Sequence, residues 1–394
     1  MTSPKANPVY VAIACGGTGG HLFPGLAIVE QLKQRQCDVA LLISPKDIDQ
    51  QGVKTASGVD IFTLPAIGLQ NRNYLSFASS FLKSLFAARR IFRNRKPDIV
   101  LAMGGFTSAP PVLVGRYFGA KTFLHESNTI PGRANRFISK FVHGAFVGFP
   151  ETANRLKVHN VTVTGTPVRP QFRCGGPDSV RSARAALGLE ADRPTILIVG
   201  GSQGARGLNE MVLSALPLLA GRNWQWLHLS GAGDFEKVKS ACAAHGIKAL
   251  VKPFLAEMDL ALRAATAAVS RAGSSSMSEI AAMKLPVLLV PLPTAADNHQ
   301  YFNALAYEKT GAARLLEQKN STPQKVAEIL TELVENETVR SNMQTAISKW
   351  HAPGAAEQIA EILVNSVTCH SEGSSIKDGC CCGQAHDCAK SAMS

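Results

Sequence analysis

Ser270-Arg-Ala-Gly-Ser-Ser-Ser-Met-Ser-Glu279, preceded by the apolar run Ala267 to Val269, decides the architecture. The run reads as a strand, the Gly and Ser residues as a turn, and the turn as the opening of a helix from near Ser276. Such a helix start leaves backbone N–H groups free at the positive end of the helix dipole, which makes it an anion site. Glu279, three residues in, either caps the backbone or accepts the hydroxyls of a ribose. On this stretch alone both readings stay open.

Strand and glycine turn recur elsewhere. Val9 to Cys15 ends in Gly16-Gly-Thr-Gly-Gly20-His21 before a helix over Pro24 to Gln34, with proline in the tolerated first turn. Thr195 to Val199 ends in Gly200-Gly-Ser-Gln-Gly-Ala-Arg-Gly207 before a helix from Leu208, and Met103-Gly-Gly-Phe-Thr-Ser-Ala-Pro110 follows the strand Ile99 to Met103. Further strands are expected at Val39 to Ile43, Thr122 to Leu124, Val161 to Thr164, Gln225 to Leu229, Ala249 to Lys252 and Val287 to Val290. Alternation with helices gives an α/β protein with two doubly wound parallel sheets, joined through Gly165 to Pro177. Ligands of such sheets bind beyond the carboxyl ends of the strands, so the site is expected between the domains. Gly17-Thr-Gly19 lacks the third glycine of a dinucleotide fingerprint, Ser44 stands where an acid is required, and neither turn has the Gly-Lys-Ser/Thr of a P-loop.

Hydrophobic residues at 45% and charged residues at 18% of 394 are globular values. No apolar run reaches the roughly 18 residues of a membrane span, and the first eight residues carry no signal-peptide segment. The nine cysteines lack the spacing of a disulfide framework, which fits a reducing compartment. The net charge of +12 is one-sided: residues 1–169 hold 20 Lys and Arg against 8 Asp and Glu. That asymmetry points to a polyanionic partner, nucleic acid or an anionic membrane surface. Tyr74, Phe77, Phe81, Leu82, Leu85, Ala88 and Phe92 fall on one apolar helix face, with Arg89, Arg90, Arg93, Arg95 and Lys96 at its end. Core packing and a membrane-surface patch both account for it. Closing helices are expected over Thr322 to Val334, Val339 to Lys349 and Gly354 to Val367. The Cys-rich tail, 368–394, is expected to be disordered; the adjacency of Cys380, Cys381 and Cys382 is unlike zinc-site pairs.

Gly16 to His21, Met103 to Ser108, His125-Glu-Ser-Asn128, Gly165-Thr-Pro-Val-Arg169, Gly200 to Arg206, Ser278-Glu-Ile-Ala281 and Asp297-Asn-His-Gln-Tyr301 together resemble the MurG family. These are the N-acetylglucosaminyltransferases of peptidoglycan synthesis, and the resemblance spans nearly all of residues 9–365. It implies a GT-B fold: an acceptor- and membrane-facing Rossmann-like domain over 1–169 with a returning helix at about 350–367, and a UDP-sugar domain over 170–349. It implies inverting transfer of N-acetylglucosamine from UDP-N-acetylglucosamine to the muramyl 4-hydroxyl of lipid I, giving lipid II. The expected location is peripheral, on the cytoplasmic face of the cell inner membrane, with no cofactor, no metal and no nucleic acid. Donor contacts carry over to Thr18, Gly19, Gly20, Asn128, Arg169, Ser202, the Leu255 backbone, Ser274, Ser275, Ser276, Met277, Ser278, Glu279 and Gln300. In that reading Glu279 holds the ribose, Ser202 and the Ser274 to Ser276 turn hold the pyrophosphate, and Gln300 and Asn298 reach the sugar. Gly104, Gly105, Thr107 and His125 fall on the acceptor side. Ser127 and the Ser274 to Met277 turn depart from the family pattern.

Inversion needs one base, and UDP leaves without an acid where N–H groups and a helix N-terminus hold its charge, with helix dipoles and Arg169 standing in for a divalent ion at the pyrophosphate. His21 is the expected base, with Glu126 and His125 as alternatives; a histidine that only hydrogen-bonds a substrate fits the same position. Two rival classes remain. A sugar-nucleotide 2-epimerase shares the double-domain plan and needs no acceptor, and a non-catalytic membrane or nucleic-acid adaptor would use only the basic half.

Overall fold

A computed structural model describes residues 8–66, 74–201 and 204–368. The chain alternates strand and helix from β1 (Tyr10–Cys15) through α1 (Gly19–Gln34), β2 (Asp38–Ile43), α2 (Asp47–Gly52), β3 (Asp60–Thr63) and α3 (Tyr74–Asn94). It continues with β4 (Ile99–Gly104), α4 (Ala109–Tyr117), β5 (Lys121–Glu126), α5 (Arg133–Ile138), β6 (Gly144–Val147), β7 (Val161–Val163) and α6 (Pro177–Ala186). The second series is β8 (Thr195–Val199), α7 (Arg206–Leu219), β9 (Gln225–Leu229), α8 (Phe235–Ala244), β10 (Ala249–Lys252), α9 (Met258–Ala264), β11 (Ala267–Ser270), α10 (Ser274–Ala282) and β12 (Val287–Leu289). It closes with α11 (His299–Lys309), β13 (Arg314–Leu315), α12 (Pro323–Glu335), α13 (Glu337–Ser348) and α14 (Ala355–Thr368).

The strands form two parallel sheets, ordered β3-β2-β1-β4-β5-β6-β7 and β10-β9-β8-β11-β12-β13. Strand order reverses between β1 and β4 in one sheet and between β8 and β11 in the other. Beyond the carboxyl ends of those four strands lie all four glycine- and serine-rich turns, where a ligand of such a sheet binds. β1, β4 and β8 are buried along their whole length, because helices cover both faces of a parallel sheet. Sequence periodicity missed β3, β6 and β13: β3 is mostly exposed, Gly144 opens β6, and β13 has two residues. α14 returns to the first sheet and buries Ile359, Ala360 and Leu363 in the cluster that holds α1. Each of the two larger side chains contributes roughly 1.5–3 kcal/mol, enough to hold the helix there.

Three helix starts differ from expectation. α1 opens at Gly19 rather than Pro24, so Pro24 sits inside it and withdraws the i→i−4 bond to Gly20. α7 opens at Arg206 and α10 at Ser274. Glu279 is therefore the sixth residue of its helix, beyond the reach of a capping box. The face of α3 is also different. Ser80, Ser84, Ala88 and Phe92 turn inward at four-residue spacing, whereas Leu82, expected among them, is 54% exposed alongside Leu75 and Phe86. At about 100° per residue, Leu82 lies on the far side from Ser80. The cysteine tail beyond Thr368 lies outside the described residues.

Candidate active site

One cleft of about 1780 Å³ runs between the two sheets and is lined from both. A site for one drug-sized ligand occupies roughly 300–1,000 Å³, so this cleft has room for two substrates. Its first wall is the Gly16 to His21 turn. Thr18 caps α1 in an extended conformation, and its carbonyl accepts from His21 N at 3.1 Å and Leu22 N at 3.2 Å. The N–H groups of Gly19 and Gly20 stay outside the helical ladder. The Thr18 hydroxyl lies 3.1 Å from His21 Nδ1. The imidazole rests on the β4 turn: a Cβ on Gly104 would meet its ring at 2.9 Å and one on Gly105 at 3.1 Å, and both residues have positive φ. Glycine is required there for the ring to sit where it does. Burial pushes the His21 pKa below the ordinary histidine value, His299 adds to that push, and the negative charges of Glu126 and Asp49 oppose it. His21 is therefore a neutral base near pH 7.

Asp49 went unrecognised in the sequence. Its Oδ2 accepts from Gly17 N at 2.6 Å and from Ser44 N at 3.2 Å, and it bonds the Ser44 hydroxyl. An acid is thus present near the end of β2, and it grips the glycine turn where a dinucleotide-binding acid would grip a ribose. The sequence Asp47-Ile-Asp49 is an Asp-x-Asp, yet Asp49 is fully buried and holds the turn through Oδ2 alone, its Oδ1 meeting no donor among the described residues.

Several expected site residues do not face the cleft. Thr107 is fully buried and bonds both N and O of Gly16 at 3.1 Å, pinning the β1 and β4 turns together. His125 is buried between the Gly165 carbonyl at 3.1 Å and the Ser127 hydroxyl at 3.2 Å, so it is no base for a substrate in the cleft. Glu126 lines the cleft, but its oxygens accept four bonds of 2.9 Å, from Asn128 N, Asn128 Nδ2, Gly132 N and Asn135 Nδ2. A carboxylate so engaged organises the β5 loop rather than taking a proton. Asn128 is likewise tied, to Glu126 through its nitrogen and to Asn303 Nδ2 at 3.0 Å through its oxygen.

On the opposite wall, the first ladder bond of α10 is Met277 N to Gly273 O at 3.0 Å. The N–H groups of Ser274, Ser275 and Ser276 therefore lie outside the ladder, at the edge of the cleft. Met277 points into the core, and the Ser278 hydroxyl donates to Ser274 O at 3.0 Å, so neither side chain faces a ligand. Glu279 Oε1 accepts from Arg169 Nη2 at 3.2 Å. Arg169 was expected at a pyrophosphate, but its guanidinium is stacked between Phe23, 4.2 Å away, and Phe172, 4.9 Å away, and so is held at Glu279. Burial holds the Glu279 pKa above the ordinary carboxylate value, with the Arg169 charge opposing it only in part. Oε2 of Glu279 meets no donor among the described residues. Gln300 Oε1 accepts from Leu292 N at 2.9 Å, which leaves its Nε2 to donate into the cleft. Leu255 is buried with its loop at the cleft wall, beside Phe254, which is 52% exposed and was not anticipated. Ser202 lies outside the described residues.

Arg271 and Asn303 were also missed. The Arg271 side chain is buried against Val290 O and Pro291 O, both at 3.1 Å, and burial lowers its pKa to about 10. Asn303 accepts from Thr129 N at 2.9 Å and Thr129 Oγ1 at 3.0 Å, and it donates to Asn128 and to Ala272 O. A charged residue closing an apolar strand, and an amide on the same helix as Gln300, were the signals available in the sequence.

Two family models match: the glycosyltransferase family 28 N-terminal domain over residues 11–147 and the C-terminal domain of that family over residues 195–359. A UDP-N-acetylglucosamine--N-acetylmuramyl-(pentapeptide) pyrophosphoryl-undecaprenol N-acetylglucosamine transferase from Anaeromyxobacter sp. (strain Fw109-5) is 34% identical over 90% of this chain and 93% of its own. The crystal structure of MurG from Acinetobacter baumannii superposes with a TM-score of 0.71 at 27% identity, covering 91% of this chain and all of that one. A UDP-N-acetylglucosamine 2-epimerase structure superposes at 0.66 over 95% of this chain, but at 14% identity it shares the fold alone.

Proposed function

The chain belongs to the UDP-N-acetylglucosamine--N-acetylmuramyl-(pentapeptide) pyrophosphoryl-undecaprenol N-acetylglucosamine transferases of glycosyltransferase family 28, and from that premise we propose how its cleft performs the transfer. The fold is the GT-B fold of glycosyltransferases. The enzyme moves N-acetylglucosamine from UDP-N-acetylglucosamine to lipid I. The epimerase alternative is set aside, since the relatives matching at 30% identity and above carry the transferase name.

The donor enters along α10. Its diphosphate meets the N–H groups of Ser274 to Ser276, its ribose meets Oε2 of Glu279 with Arg169 steadying Oε1, and Gln300 Nε2 donates to the sugar. The acceptor lies against the first half, residues 1–169 with the returning α14. Neutral His21 takes the proton of the muramyl 4-hydroxyl as oxygen attacks the anomeric carbon, the bond to the UDP oxygen breaks, and configuration inverts. UDP leaves as an anion stabilised by the α10 N-terminus, which replaces an acid. What carries this reading is the juxtaposition, in one cleft, of His21 on its glycine shelf with the free N–H groups beside Glu279.

Among the described residues no helix is long and apolar enough to cross a membrane. The surface that meets the membrane on this reading is α3, where Leu75 is 86% and Phe86 68% exposed beside Arg89, Arg90 and Arg93. On this reading the enzyme works as a peripheral protein at the cytoplasmic face, where its lipid-linked acceptor is presented.

The deciding experiment incubates the protein with labelled UDP-N-acetylglucosamine, with and without a soluble lipid I analogue. A β-1,4-linked disaccharide product and UDP release that both require the acceptor are expected. Conversion of the donor alone to its 2-epimer would overturn the proposal.

A further inference from the structure

The cleft does not end at His21. On the side of the first sheet its lining passes from polar groups to Phe77, Phe81 and Leu82 of α3, faced by Ile130 and Pro131 of the loop after β5 and by Phe137 of α5. This apolar arm is continuous with the space in front of His21. Phe77 and Phe81 are half-buried with ring centroids 6.3 Å apart, and Phe137 is 47% exposed, so the arm is walled by side chains that no protein group covers fully. Leu82, 54% exposed, stands at the border between this arm and the outward stripe of Leu75 and Phe86, which does not line the cleft.

We propose that this arm binds the first isoprene units of the polyprenyl diphosphate that carries the acceptor sugar. The inference rests on the lipid I reading above. An acceptor whose hydroxyl meets His21 must run its diphosphate and then its lipid out of the cleft, and the arm is an apolar stretch of the same cavity that holds that residue. The outer stripe of α3 then rests on the bilayer, while the inner edge of the same helix receives chain lifted from it. Desolvating isoprene carbons against phenyl rings supplies affinity that a purely surface-bound enzyme would lack.

The test uses lipid I analogues with one, two and three isoprene units, each kept below its aggregation concentration, so that no bilayer or micelle takes part. For the wild-type enzyme KM is expected to fall roughly tenfold across the series as more carbon is buried. Phe137→Ser is expected to flatten this dependence while keeping the KM for UDP-N-acetylglucosamine. Phe86→Ser, on the outer stripe, is expected to keep the chain-length dependence of the wild type. Equal KM values for all three acceptors with the wild type, or an unchanged slope in Phe137→Ser, would overturn the arm. Failure of the wild type to glycosylate any of the three would instead overturn the transferase reading on which it depends.

Discussion

At the scale of single residues the cleft is set by who holds whom. His21 is aimed by Thr18 and by the two glycines beneath its ring, and Asp49 fixes the turn from below. His21→Ala is expected to lower kcat by about 10² to 10⁴ with both substrates still bound, as removal of a positioned base does; steady-state kinetics with a loss under tenfold would reassign the residue. Because burial lowers its pKa, His21 stays neutral as pH falls to 6.5 and gains its proton only below that. Activity is accordingly flat above the lowered pKa and declines beneath it. The acid limb of kcat/KM is expected below pH 6.5 in the wild type and absent from the residual activity of His21→Gln. Gly104→Ala puts a Cβ within 2.9 Å of the imidazole, at a φ of +110°. The ring has to move, and kcat is expected to drop at least tenfold while donor KM holds, since misplacement of a catalytic group acts on the chemical step.

Elements, rather than side chains, supply the electrostatics. The N-terminus of α10 opens on the cleft with three N–H groups outside its ladder, a fixed positive end at which the proposed mechanism puts the departing UDP. Transfer is therefore expected to persist in excess EDTA; abolition by the chelator with recovery on adding magnesium would argue against helix-borne stabilisation. α3 carries the other element-scale property, two faces on one helix. Its basic cluster is smaller than the sequence implied, because Arg95 is paired with Asp38 and lies over the Tyr10 ring at 4.0 Å. Arg89, Arg90 and Arg93 remain exposed, each contributing roughly 1 kcal/mol at an anionic surface. Replacing both Leu75 and Phe86 by Ser is expected to cut binding to phosphatidylglycerol vesicles at least tenfold in a sedimentation assay, with secondary structure unchanged by circular dichroism.

For the whole molecule the question is what keeps two sheets in working register. Asn303 is fully buried and bridges Thr129 and Asn128 of one half to Ala272 of the other. Asp297, in a left-handed turn, reaches back to Arg133 and Arg136. Tyr307 stacks on Trp350 at 4.3 Å where the chain returns to the first sheet. Asn303→Ala leaves the buried Thr129 N–H and the partly buried Asn128 Oδ1 without this partner, at a cost of about 1–3 kcal/mol. A melting temperature lower by several degrees and a raised donor KM are expected; an unchanged donor KM would make the bridge purely structural.

Local pattern was sufficient for the architecture. Apolar runs ending in glycine turns specify parallel strands and the edge at which a ligand binds, because both follow from backbone geometry that each stretch carries by itself. The same runs fixed the positions of Gly19, Gly20, His21, Ser274 and Glu279. What each group is free to do depended on partners distant in the chain. His125 and Glu126 look equivalent to His21 in sequence, and only packing shows one buried against Gly165 and the other saturated by four donors. Arg169 turned from a phosphate ligand into the partner of Glu279, 110 residues away, because two phenylalanine rings hold its plane. Leu82 turned outward since helix phase is set by what the neighbouring helix buries, and small serines rather than large apolar residues fill that contact. Sequence carries propensity and spacing; desolvation and hydrogen-bond saturation are properties of the assembled fold, and they assign the chemistry.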